Sequence, residues 1–323
     1  MRRALPPTIA LAVLIALPLI VTNDYYLDLA SQILIYGLLA LSLNILLGYG
    51  GMVSLGHAAY VGIVSYSCVI MAGAGYGHAA AAAVAVAVSL AAGAAFGVLA
   101  LRASGLGFLM ITLALGQIVW GVAYRWNSLT GGDNGIRYPA RPAPFGLSIA
   151  DTPRFYYFTL IVFVAATFCI WRLTRSPFGA ALRGTRDQPR RMRMLGHDVW
   201  MIRWLAFVLS AFWASIASLL YIYYNLFISP HALSLQQSAE VLLMAILGGA
   251  STLTGPIVGA AIITLIKNVA STYVDRWNSL LGGIFVVVVM FMPLGLVPGF
   301  RQFWVRIAGR ARKPAPAAPE RPG

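Results

Sequence analysis

QSAEVLLMAILGGASTLTGPIVGAAIITLIKNVAS, residues 237–271, is apolar enough to lie in a bilayer and too long to cross one as a single helix. At about 1.5 Å per residue these 35 residues would run roughly 52 Å, against a hydrocarbon core of roughly 30 Å. The stretch must break. GGASTLTGP at 248–256 supplies the interruption, with Gly248, Gly249, Gly255 and Pro256 between two apolar helical pieces.

Upstream, LLGYGGMVSLGHAAYVG at 46–62 has the same grammar of apolar helix, glycine break (Gly48, Gly50, Gly51) and apolar helix. Broken helices are tolerated at membrane depth where the freed backbone is buried in protein or lines a wet cavity, so both breaks are candidates for a transport path. The competing reading is close helix packing through Gly93-x-x-x-Gly97 and Gly255-x-x-x-Gly259 contacts.

The remainder of the chain is equally oily, at 60% hydrophobic residues and a mean hydropathy of +0.80. Further apolar segments stand at about 8–21, 29–47, 58–74, 79–100, 105–123, 155–172, 204–228 and 280–298. Counting the broken pair as two, this predicts an all-α polytopic membrane bundle of about ten segments with broken or re-entrant helices. Its expected organisation is an N-terminal span and external turn at 1–28, a transmembrane domain at 29–298, and a basic, Pro/Ala-rich tail at 299–323. The first segment resembles a signal peptide but lacks an A-x-A site, so it reads as a retained span, with a cleaved signal as the alternative. Cys68 and Cys169 both lie in apolar segments and read as small hydrophobes, with no metal centre expected.

The net charge of +14 is placed in loops. Of 23 basic residues, seven lie in 174–203 and six in 299–323, the distribution of cytoplasmic retention and not of a nucleic-acid face. Ten segments put both termini and the arginine loop in the cytoplasm, and the turn-rich stretch at 124–154 outside.

That loop, SPFGAALRGTRDQPRRMRMLGHDV at 176–199, has the signals of short amphipathic helices on a membrane surface. Ser176 can cap, Pro177 can open a helix, and Phe178, Ala181 and Leu182 share one face with Arg183 and Arg186 off it. Gly196 can end a second short helix, and Asp198 can cap the next span. Two readings stand: a handle for a partner, or arginines that hold topology and touch anionic lipid.

Energy for active transport would have to come from elsewhere. The membrane segments contain almost no ionisable groups beyond Glu240 and Lys267, and no G-x-x-x-x-G-K-[ST] loop for nucleotide phosphates is present. Uncharged polar residues in or beside the apolar segments are the candidates for the path: Asn44, Ser54, His57, Thr112, Gln117 and Thr252. Each can instead bond helix to helix. His57 beside the first break can donate to a carboxylate or cap the broken backbone. No catalytic residues are expected, because the four histidines are scattered.

SPFGAALRGTRDQ, LGHDV and LAFVLSAFWASIASLLY (176–221) closely resemble the cytoplasmic loop and following helix of branched-chain amino acid ABC transporter permeases of the LivM type. LGYGGMVSLGHAAYVGI (47–63), GLGFLMITLALGQI (105–118), TGGDNGI (130–136) and LGGASTLTGPIVGA (247–260) resemble further blocks of that family, in its order. The resemblance implies a permease subunit in a bacterial inner membrane. Its implied partners are a second permease of the LivH kind, two cytoplasmic ATPases and a periplasmic substrate-binding protein. No cofactor would be bound by this chain, since ATP and Mg would be used by the ATPases.

By the same resemblance, the loop bearing Phe178, Gly179, Leu182, Arg183, Arg186, Asp187, Arg190, Arg191 and Gly196 would dock on an ATPase. The family usually has small residues before that glycine. Arg190, Arg191 and Arg193 here imply a matched, more acidic groove. TGGDNGI reads either as a turn that meets the binding protein or as a helix-ending turn. Branched-chain amino acids are the leading cargo, with urea, short amides and aromatic acids as alternatives. A passive channel or facilitator is the competing function, and a membrane enzyme a more distant one.

Overall fold

The computed structural model describes residues 7–20, 23–139, 141–142 and 149–273, with scattered positions from 279 to 299. Most of that range is helical. In order it forms α1 (Pro7–Ile20), α2 (Asp24–Asn44) continued by a π turn (Ile45–Tyr49), α3 (His57–Gly73), α4 (His78–Ala100) and α5 (Leu106–Arg125). There follow α6 (Asn127–Thr130), α7 (Thr152–Arg175), α8 (Pro177–Asp187), α9 (Pro189–Met194), α10 (Val199–Asn225), α11 (Leu235–Gly248) and α12 (Gly255–Tyr273).

Among the described residues, nine of the ten expected apolar segments are helices. Five of these, α2 with its π turn, α4, α5, α7 and α10, are long and apolar enough to cross a membrane alone. Three more, α3, α11 and the Gly255–Val269 part of α12, are apolar but shorter. The segment expected at 280–298 and the tail beyond it lie, apart from single positions, outside the described residues.

α2 is the central helix. Its residues from Leu34 to Leu46 are almost all buried, packed on α7, α10, α11 and α12. It starts at Asp24, where Asn23 Oδ1 accepts from Tyr25 N at 3.0 Å, so a polar first turn precedes the apolar run expected from 29.

Close packing uses small residues. A methyl group added at Gly93 would meet Ala211 of α10 at 2.5 Å, and one at Gly97 would meet Trp204 and Phe207 at just over 3 Å. The α11–α12 hairpin is tighter still: a Cβ on Gly248 would meet the Gly255 carbonyl, and one on Gly259 the Met244 carbonyl. The packing reading of these glycines therefore holds alongside the break reading. Gly248 itself is the last residue of α11 and serves contact, while Gly249, with φ +114, makes the turn.

At the end of the bundle away from the 176–199 loop, β1 (Ile136–Arg137) pairs antiparallel with β2 (Phe227–Ile228), Ile136 opposite Ile228. TGGDNGI forms the turn that leads into this pair, with Gly131, Gly132 and Gly135 all at positive φ. Tyr138 ties it to α4 through a 2.7 Å bond to His78 Nδ1. Burial and the adjacent Cys68 hold the Tyr138 hydroxyl well above the usual phenol range, so it stays protonated.

Candidate functional site

The two breaks meet. Asn44, in the last turn of α2 before the π turn, receives Ser251 N on Oδ1 at 3.2 Å and donates from Nδ2 to Thr252 O at 2.8 Å. One carboxamide thus serves two backbone groups of the second break. Ser251 Oγ in turn donates to Gly48 O at 3.0 Å. Gly48 has no room for a side chain, since a Cβ there would meet Asn44 Oδ1 and Ser251 N. Thr252 Oγ1 accepts from Gly255 N at 3.0 Å and donates to Gly249 O at 2.9 Å, closing the turn on which α12 begins.

After the π turn the first break runs on as non-helical chain to the start of α3. The π turn touches α8 at the arginine end. His57, which opens α3, bonds to Ser210, eleven residues and so roughly 16 Å along α10. Every backbone group of such non-helical chain at depth needs a partner. Gly50 N, Gly51 N and Met52 N donate back to carbonyls of the π turn. Leu55 N donates to Thr112 Oγ1 (3.2 Å), Gly56 N to Ser54 Oγ (3.3 Å) and Ala58 N to Ser238 Oγ (3.1 Å).

Ser54 and Thr112, read in the sequence as path candidates, therefore cap the break. Ser210 donates to Ser42 O at 2.6 Å and so is the acceptor for His57 Nε2–H at 2.9 Å. His57 is fully buried and joins α3 to α10. Its Nδ1 has no protein partner.

The basic loop splits into an inward half and an outward half. Ser176 accepts from Gly179 N and Asp198 accepts from Trp200 N and Met201 N, the caps expected for α8 and α10. Leu182 and Gly179 are buried and Phe178 packs on the core. Arg183 donates to Thr174 O at 2.7 Å, and Arg203 to Thr185 O at 2.9 Å. Arg186 Nη1 donates to Gly48 O at 2.5 Å and to Ser251 Oγ at 3.2 Å, while its Nε pairs with Asp187 at 2.8 Å. On α9 and after it, Arg190, Arg191, Arg193, Met194, Leu195 and Gly196 are exposed. Of the seven arginines at 174–203, Arg183, Arg186 and Arg203 thus hold the protein together, Arg190, Arg191 and Arg193 face outward, and Arg175 lies over the Trp171 ring.

The family model described as branched-chain amino acid transport system / permease component matches residues 25–292. The chain belongs to this permease family. It is 28% identical over 326 aligned residues, 94% of this chain and 76% of the relative, to the high-affinity branched-chain amino acid transport system permease protein LivM of Salmonella typhimurium. It is 29% identical over 316 residues, 90% of this chain and 74% of the relative, to the LivM protein of Escherichia coli. No solved structure matches it.

Gln117 does not join the breaks. It lines a hollow of about 350 Å³ at the end of this permease opposite the 176–199 loop, with Trp120, Tyr124, Asp133, His231 and Gln236. A larger hollow of about 530 Å³, between α4, α7 and α10, is almost wholly apolar and has no residue of either break in its wall. His78 and Tyr223 are the polar side chains in its wall.

The sequence reading missed Ser251, Ser210 and Ser238, whose hydroxyls tie the breaks to the bundle. Small hydroxyls inside apolar helices are the available signal. It also left Glu240 and Lys267 without a relation. Lys267 Nζ donates to Glu240 Oε2 at 3.0 Å, with the Glu240 side chain 2% exposed and Lys267 27%. The pair bolts α12 to α11 inside the bundle. Among the described residues no group of three His, Cys, Asp or Glu side chains stands close enough to hold a metal ion.

Proposed function

We propose that this permease is one membrane half of an ATP-driven importer for branched-chain or related amino acids. A second permease of the same kind completes the path, two ATPases on the arginine side supply the work, and a periplasmic binding protein delivers cargo to the opposite side. The observation that carries the reading is the seating of one amphipathic loop helix, α8, on both helix breaks. Membrane-helix breaks mark the moving or cargo-facing parts of a transporter, and a surface helix fixed to them is where an external motor can act. The names of the two LivM relatives, which concern branched-chain amino acid transport, support the cargo class.

The positive-inside rule turns the arginine end, and with it both termini, toward the cytoplasm. Arg190, Arg191 and Arg193 then face the ATPases, beside exposed Met194 and Leu195. Reversing Arg190 and Arg191 to Glu is expected to abolish assembly with the cognate ATPase. Transport unchanged by reversal would leave these arginines to topology and lipid.

Reconstitution of the four kinds of subunit in proteoliposomes tests the whole reading. Leucine uptake is expected to require ATP and the ATPases. Uptake that persists without them would replace the importer with a facilitator. Calorimetry of the binding protein against leucine, isoleucine, valine, phenylalanine and urea would fix the cargo.

A further inference from the structure

We infer that Arg186 is the positioning residue by which α8 clamps the two helix breaks to each other, so the loop acts on the conduit through one inward-turned guanidinium. This rests on the proposed role of α8 as the element the ATPases move. It differs from a docking role: Arg186 turns away from the outer face of the loop.

Three hydrogen bonds close a small ring across three elements. Arg186 Nη1 donates to Gly48 O at 2.5 Å and to Ser251 Oγ at 3.2 Å, and Ser251 Oγ donates to the same Gly48 O at 3.0 Å. Gly48 stands at the carboxyl end of the α2–π helix, where carbonyls lack intrahelical donors and the helix dipole is negative. A guanidinium satisfies the carbonyl and the field together.

The surroundings are shaped for this side chain. A Cβ added at Gly51 would sit 2.5 Å from Arg186 Cγ, so the bare glycine leaves room for the arginine stem, and its φ of +67 suits glycine as well. Ser251 holds φ +74, unusual for a residue with a side chain, and is kept there by Asn44 on its amide and by Gly48 and Arg186 on its hydroxyl. Among the described hydrogen bonds no other α8 side chain reaches both breaks.

Asp187 completes the device. It holds Arg186 Nε at 2.8 Å, yet its own side chain is 62% exposed. A partner group that engages Asp187 from outside would re-aim the fork. The two breaks would then be held together by the Asn44 and Ser251–Gly48 hydrogen bonds without the arginine.

The test uses the reconstituted importer, with ATP hydrolysis and leucine uptake measured on one preparation, and spin labels at Val53→Cys and Leu253→Cys reporting the separation of the breaks. Arg186→Gln is expected to assemble and hydrolyse ATP, while uptake per ATP falls about tenfold or more, the scale of one lost charge-assisted hydrogen bond. The label distance should broaden. Arg186→Lys, which keeps the charge without the fork, should restore part of the ratio. Ser251→Ala should lower it less, and add little on top of Arg186→Gln.

An unchanged ratio of uptake to hydrolysis, or assembly lost in step with uptake in Gln and Lys variants alike, would overturn the clamp. The reading of α8 as the motor's contact fails separately, if a cysteine at Arg190 does not cross-link to the ATPase. In that case a label distance unchanged by Arg186→Gln would overturn the clamp as well, and a broadened one would retain it.

Discussion

Breaking the Glu240–Lys267 pair is expected to cost very different amounts from its two ends. At 3.0 Å and an effective dielectric of about 20, the gross attraction is about 5.5 kcal/mol. Desolvation offsets much of it, and removing one partner of such a buried pair costs about 3–5 kcal/mol because the survivor is left uncompensated. Here the survivors are unlike. Lys267→Met leaves a carboxylate whose side chain is 2% exposed facing the neutral Gln236 amide at 3.4 Å, while Glu240→Gln leaves an ammonium that is 27% exposed on a flexible stem. The ammonium can swing toward water or headgroups. We therefore expect Lys267→Met to cost about 4 kcal/mol and Glu240→Gln about 2 kcal/mol, with the double variant within about 2 kcal/mol of the parent. Unfolding of the purified chain by sodium dodecyl sulfate in mixed micelles, followed by tryptophan fluorescence, reads all four species. A reversed order of the two single variants, or additivity in the double, would refute the argument.

Three other expectations use the same unfolding assay or its local counterpart. Ser210→Ala removes the acceptor of His57 Nε2–H inside the bundle and should cost about 1–3 kcal/mol, the penalty for a buried unmet donor. Gly259→Ala drives a methyl group into the Met244 carbonyl and should cost about 1–3 kcal/mol by forcing α11 and α12 apart, whereas the same change at open Gly282 should be close to neutral. Ser176→Ala deletes the N-cap of α8 and should cost about 1 kcal/mol, seen as faster amide hydrogen exchange confined to the first turn of 177–187.

The fold was legible where physics leaves one option. Thirty-five apolar residues cannot cross as a single helix, and the break fell in GGASTLTGP as the glycines and proline require. Caps at Ser176 and Asp198 are local chemistry and were equally readable. What could not be read was pairing over distance. Asn44 lies about two hundred positions from the turn it serves, and nothing in either neighbourhood names the other. The same holds for Arg186, since amphipathicity says only that it lies off the apolar face and not that its stem is long enough to turn under the helix onto Gly48. Path candidates picked by polarity proved to be mostly backbone partners: Ser54, Thr112, Asn44 and Thr252 each satisfy a break. Non-helical chain at membrane depth needs such groups before any cargo does.

The wide turn at Ile45–Tyr49 has a genetic consequence. A π turn is an α-helix carrying one surplus residue. Loss of a single codon within it would restore regular winding and swing the Gly48 carbonyl around the axis, away from α8. No side chain would have been exchanged. A change of that kind is written in spacing alone, and comparisons of residue identity across homologues will pass over it.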